Sequence, residues 1–344
     1  MKTILVTGGC GFIGSCFVRM VLRRTEWRVV NLDVLTYAGD PERLECLPGG
    51  DRYRFVRGDI ADRGIVLALL REEMPWAVVN FAAESHVDRS IVDASPFVRT
   101  NVVGVQVLLD AARAHHVARF LQVSTDEVYG DLADEAPASE RSPLQPSSPY
   151  AASKAAADLM CLAYRRTHDV PLLVVRSSNN YGPWQFPEKF IPLIIRNALA
   201  GKDLPIYGDG QQRRDWLFVG DNCDAILRVL ERGEVGSIYN IATGEERTNV
   251  DTVGLVCRLL ADERLLSRRV LESSTRFVHD RPGHDRRYAM DARKISRELG
   301  WSPGLSYEEG LRNTVRWYLD HKDWLARAGS GEPHQDYAAI YSRR

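Results

Sequence analysis

The stretch Thr7-Gly8-Gly9-Cys10-Gly11-Phe12-Ile13-Gly14 follows the apolar run Ile4-Leu5-Val6 and opens a helical pattern. In a strand, turn and helix unit that binds a dinucleotide, each spaced glycine has a task. Gly8 permits the tight turn, Gly11 lets the backbone approach a pyrophosphate at the helix N-terminus, and Gly14 lets the helix pack closely on the sheet. The alternative is a merely tight structural turn. Asp33 argues against it, because it ends the next strand about 20 residues on, where an acid accepts both ribose hydroxyls. An acid there repels a 2′-phosphate, so the expected cofactor is NAD rather than NADP.

Working outward, strands are expected at Ile4–Thr7, Val29–Leu32, Arg54–Arg57, Ala77–Phe81, Arg119–Ser124 and Leu172–Arg176, with helices after Gly11 and over Asn101–His115. This alternation calls for right-handed crossovers and an α/β fold, a Rossmann-like doubly wound parallel sheet. Strands buried on both faces read as continuous apolar runs, as Leu173–Val175 does. After Arg176 the pattern is mixed and punctuated by Pro183, Pro187, Pro192 and Pro205, and Ile238–Ile241 and Arg276–Val278 read as isolated strands. The expected organisation is an NAD-binding domain over residues 1–176 and a smaller C-terminal α/β substrate-binding lobe over mainly 177–328. The chain is free to cross between the two, and 329–344 forms a loosely attached polar tail. A ligand site belongs in the cleft between the lobes.

The 344 residues are 44% hydrophobic and 26% charged, with a formal net charge of -1, which calls for neither nucleic acid nor an anionic membrane as partner. Mean hydropathy is -0.26, and no apolar run reaches the ~18 residues that would span a bilayer. Met1-Lys2-Thr3 leads directly into a strand without a secretion signal, so a cytoplasmic location is expected. The six cysteines are scattered singly, which suggests neither a metal site nor a disulfide framework.

Tyr150 and Lys154 stand one helical turn apart, where an ammonium could favour a phenolate and make it a usable base near neutrality. Lys154 could also bind ribose hydroxyls. Thr125-Asp126-Glu127 adds two adjacent carboxylates to this redox site. Hydride transfer needs one proton-transfer group, so the extra pair points to a second step, elimination of water. The competing reading is a solvated acidic turn after a strand.

The chain resembles the extended short-chain dehydrogenase/reductase family and, within it, the dTDP-glucose 4,6-dehydratases. The resemblance rests on Thr125 to Gly130, Ala82 to Ser90, Ser178 to Pro183, Pro187 to Pro192 and Asp280 to Arg287, and runs from about Lys2 to Trp324. It implies that Tyr150 takes the proton of the sugar's C4 hydroxyl as NAD takes the hydride, with Thr125 bonding the sugar near C4. Glu127 then removes the C5 proton, Asp126 protonates the departing C6 hydroxyl, and the hydride returns to C6. The two carboxyls must therefore differ in protonation.

For NAD, the resemblance adds Phe12, Ile13, Thr36, Asp59, Ile60, Phe81, Ala82, Ala83, Ser85, Thr100 and Asn180 to Gly8, Gly11, Gly14, Asp33, Tyr150 and Lys154. Asp59 serves equally as an adenine contact or a helix cap. For the sugar nucleotide it implies Ser85, Thr125, Asn179, Lys189, Phe190, Pro205, Ile206, Tyr207, Arg214, Asn249, Asp280, Arg281 and His284. Arg214 could instead form a solvated pair with Arg213, and Tyr207 is either a base-stacking ring or an exposed loop tyrosine. His86 and His284 read as orienting or structural. The sequence departs from the family's pattern at Cys10, where alanine is usual, and at Val34, where a lysine often follows the ribose acid. A homodimer through helices that include the Tyr150 helix is also implied. The alternatives are UDP-glucose as substrate, a 4-epimerase, which needs no acid and base for elimination, and an NAD-sensing module, which needs neither Tyr150 nor Glu127.

Overall fold

All six apolar runs of the first half are strands in the computed structural model, which describes residues 1–48, 50–133, 135–263, 270–271 and 274–328. The expected tail, 329–344, lies outside the described residues. The strands are β1 (Thr3–Thr7), β2 (Arg28–Asp33), β3 (Tyr53–Arg57), β4 (Ala77–Asn80), β5 (Arg119–Thr125) and β6 (Leu172–Ser177). Four more follow: β7 (Asn179–Tyr181), β8 (Leu204–Tyr207), β9 (Arg213–Phe218) and β10 (Ile238–Ile241). The last two are β11 (Glu246–Thr248) and β12 (Thr275–Val278).

A seven-stranded sheet runs in the order β10-β6-β5-β4-β1-β2-β3, every pair parallel. It is buried on both faces because alternate residues enter different cores. Ile4, Val6 and Val29 pack with the helices Phe12–Arg24 and Val219–Arg232, while Leu5, Val30 and Leu32 pack with Arg63–Glu73, Val105–Ala114 and Pro149–His168. The strand order turns back between β1 and β4, the position where ligands bind at the carboxyl ends of such sheets.

The remainder is composite. β7 runs parallel to β9, which pairs antiparallel with β11, and β8 runs parallel to β12. A third core, including Ile191, Ile195, Ile206, Val256 and Leu311, joins these small sheets to the helices Phe190–Leu199, Asn249–Asp262 and Tyr307–Asp320. Two strands read as isolated are paired. Ile238–Ile241 is the edge strand of the large sheet, with Ile238 opposite Val174, and β12 lies beside β8. Their partners are more than sixty residues away, and strand pairing at that range leaves no local mark. Residues 219–241 thus return the chain to the first sheet. Among the described residues, no helix is long and apolar enough to cross a membrane and no cluster of side chains could hold a metal ion.

One buried polar chain ties these parts together. Arg176 of β6 donates through Nε to Asp158 of the Pro149–His168 helix at 2.9 Å and through Nη1 to the Tyr129 hydroxyl at 2.9 Å. Tyr129 donates in turn to Asn240 Oδ1 of β10 at 2.7 Å. Both ionic side chains are essentially inaccessible, at 2% and 0%. Removing one member of such a pair strands the other charge. Asp158→Ala is expected to lose about 3–5 kcal/mol of stability in denaturant unfolding; a loss below about 1 kcal/mol would show that the pair anchors nothing.

Candidate active site

Gly8 adopts φ +68°, and a Cβ there would lie 2.6 Å from the Ala82 amide nitrogen, so the turn admits only glycine. At Gly14 a Cβ would meet the Gly8 carbonyl at 2.3 Å, which is how the Phe12–Arg24 helix comes so close to the turn. Gly11 is the N-cap of that helix and supplies no side-chain cap, leaving the first amides, those of Phe12 and Ile13 among them, aimed out of the turn. A backbone cradle at a helix N-terminus suits a pyrophosphate.

Asp33 ends β2 beside this turn, its carboxylate accepting from the Cys10 and Leu35 amides at 2.9 Å each. Burial lifts its pKa against the pull of those amides. The residues present therefore fit the two ends of an adenosine diphosphate moiety, anion at the turn and ribose at the acid. Burial and the neighbouring Asp33 push the Cys10 thiol up to about 12, making it a quiet packing group rather than a nucleophile. Thr36 and Val34 are exposed after β2, and Phe81, Ala82, Ala83 and Ser85 follow β4, with Phe81 against Phe17. Asp59 does not cap the next helix. That task belongs to Asp62, which accepts from the Gly64 and Ile65 amides, while Asp59 accepts from Ala61 and from Arg99. Ile60 is buried, so only its backbone can reach a ligand. Thr100 lies on a π-helical turn, Val98–Gly104, whose Asn101 joins the Glu84 backbone to Ser153.

Thr125 ends β5 and caps the short turn Asp126–Tyr129, accepting from the Glu127 amide at 3.3 Å and donating to Asp126 Oδ1 at 3.1 Å. The two carboxyls meet different surroundings. Asp126 is 3% exposed, and burial, then the Glu127 charge, push its pKa up to about 8. Glu127 is raised by burial too, but Arg281, Arg214 and Lys189 pull it back towards the charged form.

Tyr150 packs edge-on against Phe97, and its amide bonds the Ser90 hydroxyl. Its phenol is not depressed as expected from Lys154. Burial first and Glu127 second push it above its ordinary value, with the Thr125 hydroxyl opposing. The Lys154 ammonium is turned to the Val123 carbonyl at 2.7 Å; burial lowers its pKa, with Asp158 opposing.

The cations come from later in the chain. Arg214, on β9, is buried, unlike exposed Arg213; it donates to the Asp285 carbonyl at 2.9 Å and lies 4.1 Å over the Tyr288 ring. Burial opposes the Arg281 charge, yet Asp88, Tyr288 and Glu127 hold its guanidinium above the usual value. Lys189 Nζ donates to the Ser85 carbonyl at 2.7 Å. Asn179 and Asn180 follow β6, whose Ser177 is in register with Thr125. Among the described residues, Glu127 Oε2, Asn179 Oδ1, Asn180 Oδ1 and Arg281 Nε are buried without a hydrogen-bond partner. Buried polar atoms are seldom left so.

At the far end, Asp280 Oδ1 and His284 Nδ1 are 2.6 Å apart, Tyr207 meets the His284 ring edge-on, and Asn249 begins a helix with its amide on the Gln212 carbonyl. Phe190 stacks on Trp216. The Ile206 side chain is fully buried in the third core, so of Pro205, Ile206 and Tyr207 it offers a ligand only backbone. Reading the sequence missed Tyr288, Asn101, Asp158 and Arg176; only Tyr129 was signalled, by its place in the Thr125 to Gly130 motif.

A family model described as GDP-mannose 4,6 dehydratase matches residues 5–314. The chain is 51% identical over 335 residues to a dTDP-glucose 4,6-dehydratase of Xanthomonas campestris pv. campestris, covering 94% of this chain and 95% of that one. It is 50% identical over 344 residues to one of Neisseria meningitidis serogroup B, at 96% and 97% coverage. The solved structure of DesIV, a dTDP-glucose 4,6-dehydratase from Streptomyces venezuelae with NAD bound, superposes with a TM-score of 0.90 at 47% identity, covering 95% of this chain and all of that one.

The environment of Asp126 has a direct signature. Carbon-detected NMR of the side-chain carboxyl should give a titration midpoint about 8. A midpoint near ~3.9, the ordinary aspartate value, would mean that burial does not govern this group.

Proposed function

The chain belongs to the dTDP-glucose 4,6-dehydratase family, and from that premise we propose that it converts dTDP-glucose to dTDP-4-keto-6-deoxyglucose with NAD as cofactor. The observation that carries the reading is the unequal pair Asp126 and Glu127: burial and its neighbour's charge hold Asp126 protonated near neutrality, while the rise that burial imposes on Glu127 is opposed by three cations. That is what an elimination requires and what simple hydride transfer does not.

NAD, held by the Gly8 turn and Asp33, would supply a hydride acceptor for C4 and a hydride donor for C6. Tyr150 accepts the C4 hydroxyl proton while the Thr125 hydroxyl holds the sugar oxygen. The 4-keto group so formed acidifies the C5 hydrogen, and Glu127 removes it. Asp126 gives its proton to the departing C6 hydroxyl, and water leaves. Returning the C5 proton restores Glu127, and the proton Tyr150 took from the C4 hydroxyl replaces, by exchange through solvent, the one Asp126 gave to the departing water. Arg214, Arg281 and Lys189 bind the anionic substrate, with Asn179 and Ser85 on the sugar and Tyr207, Asn249, Asp280 and His284 towards the nucleotide. The product enters deoxysugar biosynthesis.

We also propose a cytoplasmic homodimer. Six free cysteines favour a reducing compartment, which cell fractionation checks. The dimer is supported by Val98, Val103 and Leu159, exposed by 51%, 44% and 57% on two helical segments that pack side by side.

With substrate deuterated at C4, the label should arrive at C6 of a 4-keto product; a C4-inverted hexose without that product would sink the reading in favour of an epimerase. Glu127→Gln should still oxidise C4, seen as NADH absorbance, while dehydration falls about 10²–10⁴-fold. Wild-type product formation by that variant would strip Glu127 of its role. In light scattering, Leu159→Asp should shift the protein to a monomer, and an undisturbed dimer would place the interface elsewhere.

A further inference from the structure

Glu188 lies in the Pro187 to Pro192 segment and has no part in the chemistry described above. Its carboxylate gathers side chains from two loops of the first sheet. The Tyr37 hydroxyl donates to Oε1 at 2.8 Å, while His86 Nε2 and Arg89 Nε stand 3.6 and 3.8 Å from Oε2. Tyr37 is itself held on both sides, by the Arg89 guanidinium 3.7 Å over its ring and by Phe186 edge-on at 5.4 Å. The Glu188 side chain is only 14% exposed, so these contacts are weakly screened.

Topology gives the cluster its meaning. Tyr37 belongs to the loop after β2, and His86 and Arg89 to the segment after β4. β1 lies between β2 and β4 in the sheet. A tie from one loop to the other therefore passes over the end of β1, where the Gly8 to Gly11 turn sits. The next residue adds a contact on the β4 side alone, since Lys189 reaches the Ser85 carbonyl from the same segment.

We propose that Glu188 is the centre of a strap across the dinucleotide turn, and that by joining Tyr37 to His86 and Arg89 it retains NAD between turnovers. The inference rests on the reading that the Gly8 turn holds NAD in a dehydratase. That reaction ends with the cofactor in the oxidation state in which it began, so no step needs it to leave. A strap over the groove costs such a cycle nothing, whereas an enzyme that exchanges its nicotinamide each turnover could not tolerate one. Glu188 acts here as a positioning residue.

The test is the release rate of radiolabelled NAD from the purified holoenzyme, chased with excess unlabelled NAD. Glu188→Ala should release it at least tenfold faster than wild type. Glu188→Gln, which still accepts from Tyr37 but carries no charge, should fall between, and Tyr37→Phe should change in the same direction. Turnover lost on dilution of these variants should return when free NAD is added, which a merely unfolded site would not allow. Release from Glu188→Ala at the wild-type rate overturns the strap. If that variant does not fold, an unchanged rate in Tyr37→Phe overturns it equally. Wild-type protein that holds no NAD at all would instead overturn the reading of the turn itself.

Discussion

The ion pair between Arg176 and Asp158 is the joint from which the candidate site hangs. Burying two charges costs several kcal/mol per ion unless hydrogen bonds complete their shells, and here Tyr129 and Asn240 extend the network beyond the pair. Each member lies on a different element: β6, the Tyr150 helix, the Asp126 turn and the edge strand β10. None can shift without stranding the others. The helix that carries Tyr150 and the turn that carries Glu127 are thus held in one relation by groups that never touch a ligand.

That rigidity lets burial be used as a chemical tool. Taking Asp126, Glu127 and Tyr150 out of water raises all three together, since each is neutral when protonated. Burial alone would leave three protonated groups and no base. The distinction comes from position. Arg281, Arg214 and Lys189 all favour the Glu127 charge, whereas Asp126 feels the Glu127 carboxylate as its strongest neighbour. Burial first and the Glu127 charge second raise Asp126, while three cations oppose the rise of Glu127, so one arrangement sets the two carboxyls apart.

Much of this was legible in the sequence wherever the cause was local. The six strands of the first half appear because buried parallel strands are continuous apolar runs, and Gly8, Gly14 and Asp33 because a tight turn tolerates few alternatives. What was not legible depends on distant partners. Ile238–Ile241 read as isolated since nothing within it names Val174 as its neighbour. Lys154 was expected to lower Tyr150 because helical spacing puts the two on one face, but the spacing does not reveal the Val123 carbonyl that captures the ammonium. Asp59 read equally as an adenine contact or a helix cap, and the spacing did not reveal that Asp62, three residues on, holds the helix amides.

The division of labour between the two regions follows from the same physics. The acid, the base and the phenol are on elements of the first sheet, and packing makes them rigid but leaves them in a field that favours protonation. The cations that oppose this field stand on β9, after β12 and in the Pro187 to Pro192 segment. In the proposed reaction these same cations would meet the anionic substrate, so the groups that bind it would be those that favour the Glu127 charge. A diphosphate engaging Arg214 or Arg281 would share the positive charge that Glu127 alone otherwise draws on, raising its basicity as the substrate seats. The base is therefore strongest when there is a proton to remove.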